Sequence, residues 1–147
     1  SENKPEIYEE LMKNIIKRIL ELAASCLNLD NTHKYFILYK ILKILYKSLE
    51  QNIPLYFQNK EILQAISIII IQILDKDELN EKGKKGTENL FMKVRINNLK
   101  LIFALFKKFL NNNFFKDVNG FKDSFAKCIY LKIKEIYLKH LPVCGII

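Results

Sequence analysis

Apolar residues recur at spacings of three and four along most of this chain, and polar or turn-forming residues interrupt them at four places. That spacing is the signature of amphipathic helices. The first periodic stretch runs from about Pro5 to Leu27. Ile7, Leu11, Ile15, Leu22 and Cys26 share one helical face, expected inward, with Met12, Ile16, Ile19 and Ala23 alongside. Pro5 suits a first helical position, and Glu6, Glu9 and Glu10 suit the positive end of the helix dipole. Asn28, Asp30 and Asn31 break the pattern. A second helix is predicted from about Thr32 to Gln51. Phe36, Tyr39, Leu42, Leu45, Tyr46 and Leu49 form its broad apolar stripe, and Lys40, Lys43 and Lys47 recur on the other side. Pro54 then interrupts, and the short segment Pro54–Phe57 is expected to turn Leu55 and Phe57 inward.

The third stretch is the most apolar. Asn59 is the expected N-cap and Glu61 lies in the first turn. From Ile62 to Leu74 about 13 residues are almost all aliphatic. A membrane helix needs roughly 20, and Lys60, Glu61, Asp75, Lys76 and Asp77 bracket the run with charge. Lys60, Glu61, Gln64 and Ser67 form only a narrow polar strip. Such a helix is expected to be enclosed by its neighbours, as the middle layer between the first two helices and the last two. Residues 75–89 then form one long polar run with Gly83 and Gly86, expected to be a solvated, mobile loop.

A fourth helix is predicted from about Thr87 to Leu110. Leu90, Phe91, Val94, Leu101, Leu105 and Phe109 contribute its apolar side, with Ile102 and Phe106 beside them. Asn111–Asn113 stop it, and Phe114, Phe115 and Val118 cross a short connection that Gly120 helps to turn. The fifth runs from about Asn119 to Leu141, with Phe125, Ile129, Ile133, Ile136 and Tyr137 inward, and Pro142 ends it. No strand alternation persists. Residues 1–147 therefore read as a single all-α domain of five main helices, either a HEAT/armadillo-like helical stack or an irregular bundle. No fixed-period sequence repeat is visible, so any repeat is structural only.

Composition agrees and adds limits. Half the residues are apolar, which excludes a disordered chain. Four glycines and three prolines are too few for a turn-rich β fold. The net charge of +8 points towards anionic partners. Yet only Arg18 and Arg95 are arginines, and the abundance of Ile, Asn, Lys, Phe and Tyr matches AT-rich codon usage, which inflates lysine without a ligand. Cys26, Cys128 and Cys144 are odd in number, lack a CxxC spacing and sit among small or apolar residues, as expected of free thiols in a reducing cytosol. The polar, acidic start carries no signal-peptide pattern, and the apolar end suggests a piece of a longer protein.

Candidate chemistry is sparse. His33 and His140 are the only histidines, each at a helix end without a carboxylate or cysteine at ligand spacing. Gly83–Gly86 lacks both the preceding strand and the Gly-Lys-Ser/Thr spacing of a phosphate loop. No metal, cofactor or catalytic residue is expected, so the chain reads as a non-enzyme. The lysines are more informative. Lys93, Lys100 and Lys107 recur every seven residues, as do Lys127 and Lys134, and Lys132 and Lys139. Each series stays on one helix face. Such faces are either simply solvated or form a basic patch for an acidic partner or anionic lipid. Nucleic acid is disfavoured, because the aromatics follow the apolar faces and do not alternate with the lysines.

Residues of about 60–135 also resemble a known region. The run KEILQAISIIIIQIL, a polar insertion, MKVRINNLKLIFALFKKF and GFKDSFAKCIYLKI is similar to the helical-repeat segment upstream of the catalytic domain in large Sec7-family Arf guanine-nucleotide exchange factors, comprising their dimerisation/cyclophilin-binding and homology-upstream-of-Sec7 regions. Arg95, the leucine-rich stretch 99–106, Phe121, Phe125, Cys128 and Tyr130 carry the likeness; the Asn-rich turn at 111–113 and the order of cysteine and tyrosine depart from it. The resemblance implies a non-catalytic region serving dimerisation, autoregulation and recruitment to Golgi membranes through small GTPases. The expectation is thus a cytoplasmic protein-interaction scaffold for vesicle traffic. The alternative is a peripheral-membrane module that binds anionic lipid through Lys93, Lys100, Lys107, Lys127 and Lys134.

Overall fold

The computed structural model describes residues 4–29, 33–50, 59–76, 88–109 and 120–140. They form five helices: α1 (Lys4–Asn28), α2 (His33–Glu50), α3 (Lys60–Asp75), α4 (Glu88–Phe109) and α5 (Phe121–His140). The fold is all-α, with no strand among the described residues. Every predicted helix is present with its ends within about two residues of the expected position, the ordinary uncertainty of helix boundaries. The expected Pro54–Phe57 turn, the bulk of the 75–89 loop and the connection through Phe114, Phe115 and Val118 lie outside the described residues.

Local chemistry accounts for the ends. The Asn59 side-chain oxygen accepts the Glu61 and Ile62 backbone N–H groups at 2.8 and 3.2 Å. This satisfies two donors that the first turn of α3 leaves without helical partners, and such caps stabilise by about 1 kcal/mol. At the other end, the Lys76 N–H donates to the Ile73 carbonyl. Gly120 opens α5 at φ +78°, a conformation open to glycine at little cost, and its carbonyl accepts the Ser124 N–H at 3.1 Å.

The helices stack in two layers. α3 packs against α1, α4 and α5, so α1, α3 and α5 form one layer; α2 lies on α4 and also touches α1. The α2–α4 contact is the most extensive in the fold. Its register is direct: Tyr35 meets Phe91 edge-on at 4.7 Å, Lys93 lies over Tyr39 at 5.3 Å and Lys100 over Tyr46 at 5.4 Å. Residue numbers rise together on both sides, so α2 and α4 run in the same direction. Among the described residues, Leu38, Leu42, Leu45 and Leu49 of α2 and Ile62, Leu63, Ile66, Ile70 and Ile73 of α3 are the largest fully buried side chains. Each contributes roughly 1.5–3 kcal/mol relative to an exposed position.

The isoleucine-rich α3 touches α1, α4 and α5, but it is not the expected middle layer, because α2 packs directly on α4 and α3 shares its layer with α1 and α5. It is not closed all round, because Ile68 joins the polar strip and is exposed. Other faces depart further from expectation. α1 buries Ile16, Leu20, Ala23, Cys26 and Leu27, while Ile7, Leu11, Ile15 and Leu22, expected inward, are exposed. Phe36 of α2 and Ile133 and Tyr137 of α5 are likewise exposed. The physical reason is that these helices carry two adjoining apolar faces and only one has a neighbour. On α1 the uncovered stripe lies on the far side from Leu20 and Ala24, which line the groove against α3. On α4 an outward stripe of Met92, Ile96, Leu99 and Phe103 is uncovered in the same way.

Candidate functional site

The basic residues gather on the α2–α4 layer. α2 and α4 together carry nine lysines and arginines against two acidic residues, Glu50 and Glu88. The parallel register brings lysines from both helices onto one aromatic ring, that of Tyr39. The ammonium groups of Lys40, Lys93 and Lys43 lie 5.2, 5.3 and 5.8 Å from the centre of the Tyr39 ring. Ring faces attract cations at such distances. Lys43 leads in holding the Tyr39 hydroxyl below its ordinary ionisation range, with Lys40 and Lys93 adding to the effect and partial burial opposing it. No carboxylate pairs with these three lysines among the described residues. Lys40 also lies over Phe36 at 5.5 Å, and Lys107 over Phe103 at 5.6 Å. Phe36 is 52% exposed and Phe103 66%. The expectation that aromatics stay apart from the lysines is therefore corrected on this face.

The sequence-predicted lysines divide into two groups. Lys93, Lys100 and Lys107 are exposed along one side of α4 and join Tyr39, Tyr46 and Phe103. Lys127 and Lys134 are exposed on the outward side of α5, opposite Phe125 and Ile129, and do not join that cluster. Lys132 has a structural task. It reaches Asp75 at 3.0 Å and Glu135 at 3.2 Å, fastening α5 to the end of α3, and these bonds raise its pKa.

Two grooves lie elsewhere. One, of about 330 Å³ between α1 and α3, is lined by Leu20, Ala24, Ile62, Ala65, Ile68 and Ile69, with Lys17 and Glu61 at 3.9 Å on its rim. The other, of about 200 Å³ among α3, α4 and α5, holds Arg95 and Asn98 between Ile73, Leu74, Leu99, Ile133 and Ile136. Asn98 is 1% exposed; its Nδ2 donates to the Ile70 carbonyl at 3.3 Å, and its Oδ1 has no hydrogen-bond partner among the described residues. From sequence Asn98 receives no role, because nothing local distinguishes an asparagine that meets another helix from one that meets solvent.

The remaining candidates stay separate. His33 is exposed at the start of α2, and the Gly83–Gly86 segment and Cys144 lie outside the described residues. Cys26 is buried, which pushes its thiol pKa up, whereas Cys128 is exposed. No group of three metal-ligating side chains occurs among the described residues. No described helix is long and apolar enough to cross a membrane. In comparisons with known proteins, no protein-family model, no curated protein and no solved structure matches the chain.

Proposed function

We propose that this chain is a non-catalytic helical scaffold that associates with other helical units through the two ends of its stack. The observation that supports this reading is the pair of uncovered apolar faces. One end presents Ile7, Leu11, Ile15 and Leu22 of α1; the other presents Met92, Ile96, Leu99 and Phe103 of α4. Ordered, contiguous apolar stripes on a folded surface mark interaction sites more often than scattered side chains do. Each stripe lies at the edge of a layer whose interior contacts, α1 on α3 and α2 on α4, are already helix-on-helix packing. A second copy can therefore extend the stack, its α1 stripe meeting the α4 stripe of the first by the same helix-on-helix packing. Such a contact joins unlike surfaces and is heterologous. A HEAT/armadillo-like stack is the architecture this reading favours.

The resemblance of residues 60–135 to the region upstream of a Sec7 catalytic domain is in keeping with this role. It makes self-association and binding to an Arf-type GTPase at Golgi membranes the two partnerships to assay. Sedimentation velocity over a wide concentration range tests the first. Reversible growth beyond the monomer is expected, with Phe103→Asp and Leu22→Asp each remaining monomeric at unchanged helicity. A strictly monomeric wild-type chain that also ignores the GTPase overturns the reading.

A further inference from the structure

The outer side of the α2–α4 layer carries a further inference; it overlaps the α4 stripe at Met92, Ile96 and Phe103, so a second copy and a bilayer compete for those side chains. We infer that this face docks on an anionic bilayer, with the lysines around Tyr39 receiving phosphate-bearing lipid headgroups and neighbouring apolar side chains entering the interface. Three ammonium groups, from Lys40, Lys43 and Lys93, converge within 6 Å of one ring centre. No carboxylate among the described residues pairs with any of the three, which leaves their charge available to an external anion. They come from two helices fixed in register by the largest interface of the fold, so the spacing is built in and does not depend on a loop. Lys100 over Tyr46 continues the row along the same pair of helices.

The flanking residues decide between anionic partners. Phe36 borders the cluster on α2, and Met92, Ile96 and Phe103 border the lysine row on α4; all four are exposed. Aliphatic and aromatic side chains beside lysines match a membrane interface, where lysine stems lie along apolar surface and the ammonium stays at headgroup level. Nucleic acid offers no comparable use for Met92 and Ile96, and its binding surfaces favour arginine's fork, whereas this face is lysine throughout.

The test is vesicle co-sedimentation of the full chain. Three vesicle compositions serve: phosphatidylcholine alone, phosphatidylcholine with phosphatidylserine, and phosphatidylcholine with a phosphatidylinositol bisphosphate at matched charge. Salt-sensitive binding to the anionic vesicles only is expected, tightest with the phosphorylated lipid. A lysine near a charged membrane contributes about 1 kcal/mol, so Lys40→Gln/Lys43→Gln/Lys93→Gln should lose affinity on the order of a hundredfold. Lys127→Gln/Lys134→Gln, on α5, should lose far less. Phe103→Ser should weaken vesicle binding while leaving capture of the soluble inositol phosphate headgroup intact. Circular dichroism checks that each variant keeps its helices. Equal losses in the α2–α4 and α5 variants overturn the inference. So does binding of free headgroup or of DNA without binding to any vesicle, or no binding to anionic vesicles at low salt.

Discussion

Replacing Asn98 by leucine should make the protein more stable. The side chain is 1% exposed, and only one of its two polar atoms has a partner. Its Nδ2 donates to the Ile70 carbonyl at 3.3 Å, a long bond to an oxygen that, within a helix, already accepts from the residue four positions on. Losing that bond costs about 0.5–1.5 kcal/mol. Removing the buried, unpartnered Oδ1 recovers about 1–3 kcal/mol, and leucine, with the same number of side-chain heavy atoms, adds apolar contact with Ile73, Leu99 and Ile136 in the adjoining groove. The net expectation is a gain of about 1–2 kcal/mol. For a chain of this size a melting temperature moves by about 2–4 °C per kcal/mol. Urea unfolding followed by circular dichroism at constant m-value measures the effect. Asn98→Asp is the counterpart: it buries a carboxylate in place of a neutral amide and should cost about 3 kcal/mol. A leucine variant less stable than the wild type by about 1 kcal/mol or more would refute the reasoning, because Oδ1 would then have a partner or a packing role.

Three further outcomes are expected. Ile70→Asp places an unpaired charge at a position that is 0% exposed and should abolish the cooperative unfolding transition; a soluble variant of unchanged helicity and melting temperature would show the central face misassigned. With a thiol-reactive dye under native conditions, Cys128 should label at once, whereas Cys26 should wait for unfolding, being buried with a raised pKa; equal rates would contradict the packing of α1. Tyr39 should ionise below the ordinary value of 10.0. Because its folded-state pKa is depressed, its ionisation adds stability as pH rises through the lowered pKa towards 10.0, and that gain is lost as pH falls back. Phenolate absorbance should therefore show an early phase that Tyr39→Phe removes and Lys43→Gln moves upward; identical titration curves for the three proteins would remove the lysine cluster.

Much of the architecture was legible in the sequence because its signals are local. Period, caps and breakers lie within a few residues of one another, so Asn59 and Gly120 mark their helix starts without reference to anything distant. The charged brackets and short length of the α3 run also separated a buried helix from a membrane span. Choosing the covered side of each helix was harder. Periodicity records that Ile7, Leu11, Ile15 and Leu22 form a stripe, but not whether another helix lies on it. On α1 the better-packed face was the adjoining one, centred on Ile16, Leu20, Ala23 and Leu27. The lysine rows were visible at sevenfold spacing. What singled out Lys93 and Lys100 from Lys127 and Lys134 was the tertiary register of α2 against α4, which no local pattern carries. Asn98 escaped for the same reason, since its partner is a backbone carbonyl of another helix.

The parallel pairing of α2 with α4 also sets an order of events during synthesis. α2 cannot complete its main contact with α1 alone, because the residues facing Tyr35, Tyr39 and Tyr46 are Phe91, Lys93 and Lys100, more than fifty positions later in the chain. At about 5–20 residues per second, the ribosome takes several seconds to cross that interval. Throughout it, the side of α2 meant for α4 stays bare outside the exit tunnel. A nascent chain of this kind gives chaperones that bind exposed aliphatic segments a defined window of engagement, closed only when α4 emerges and is drawn down alongside α2.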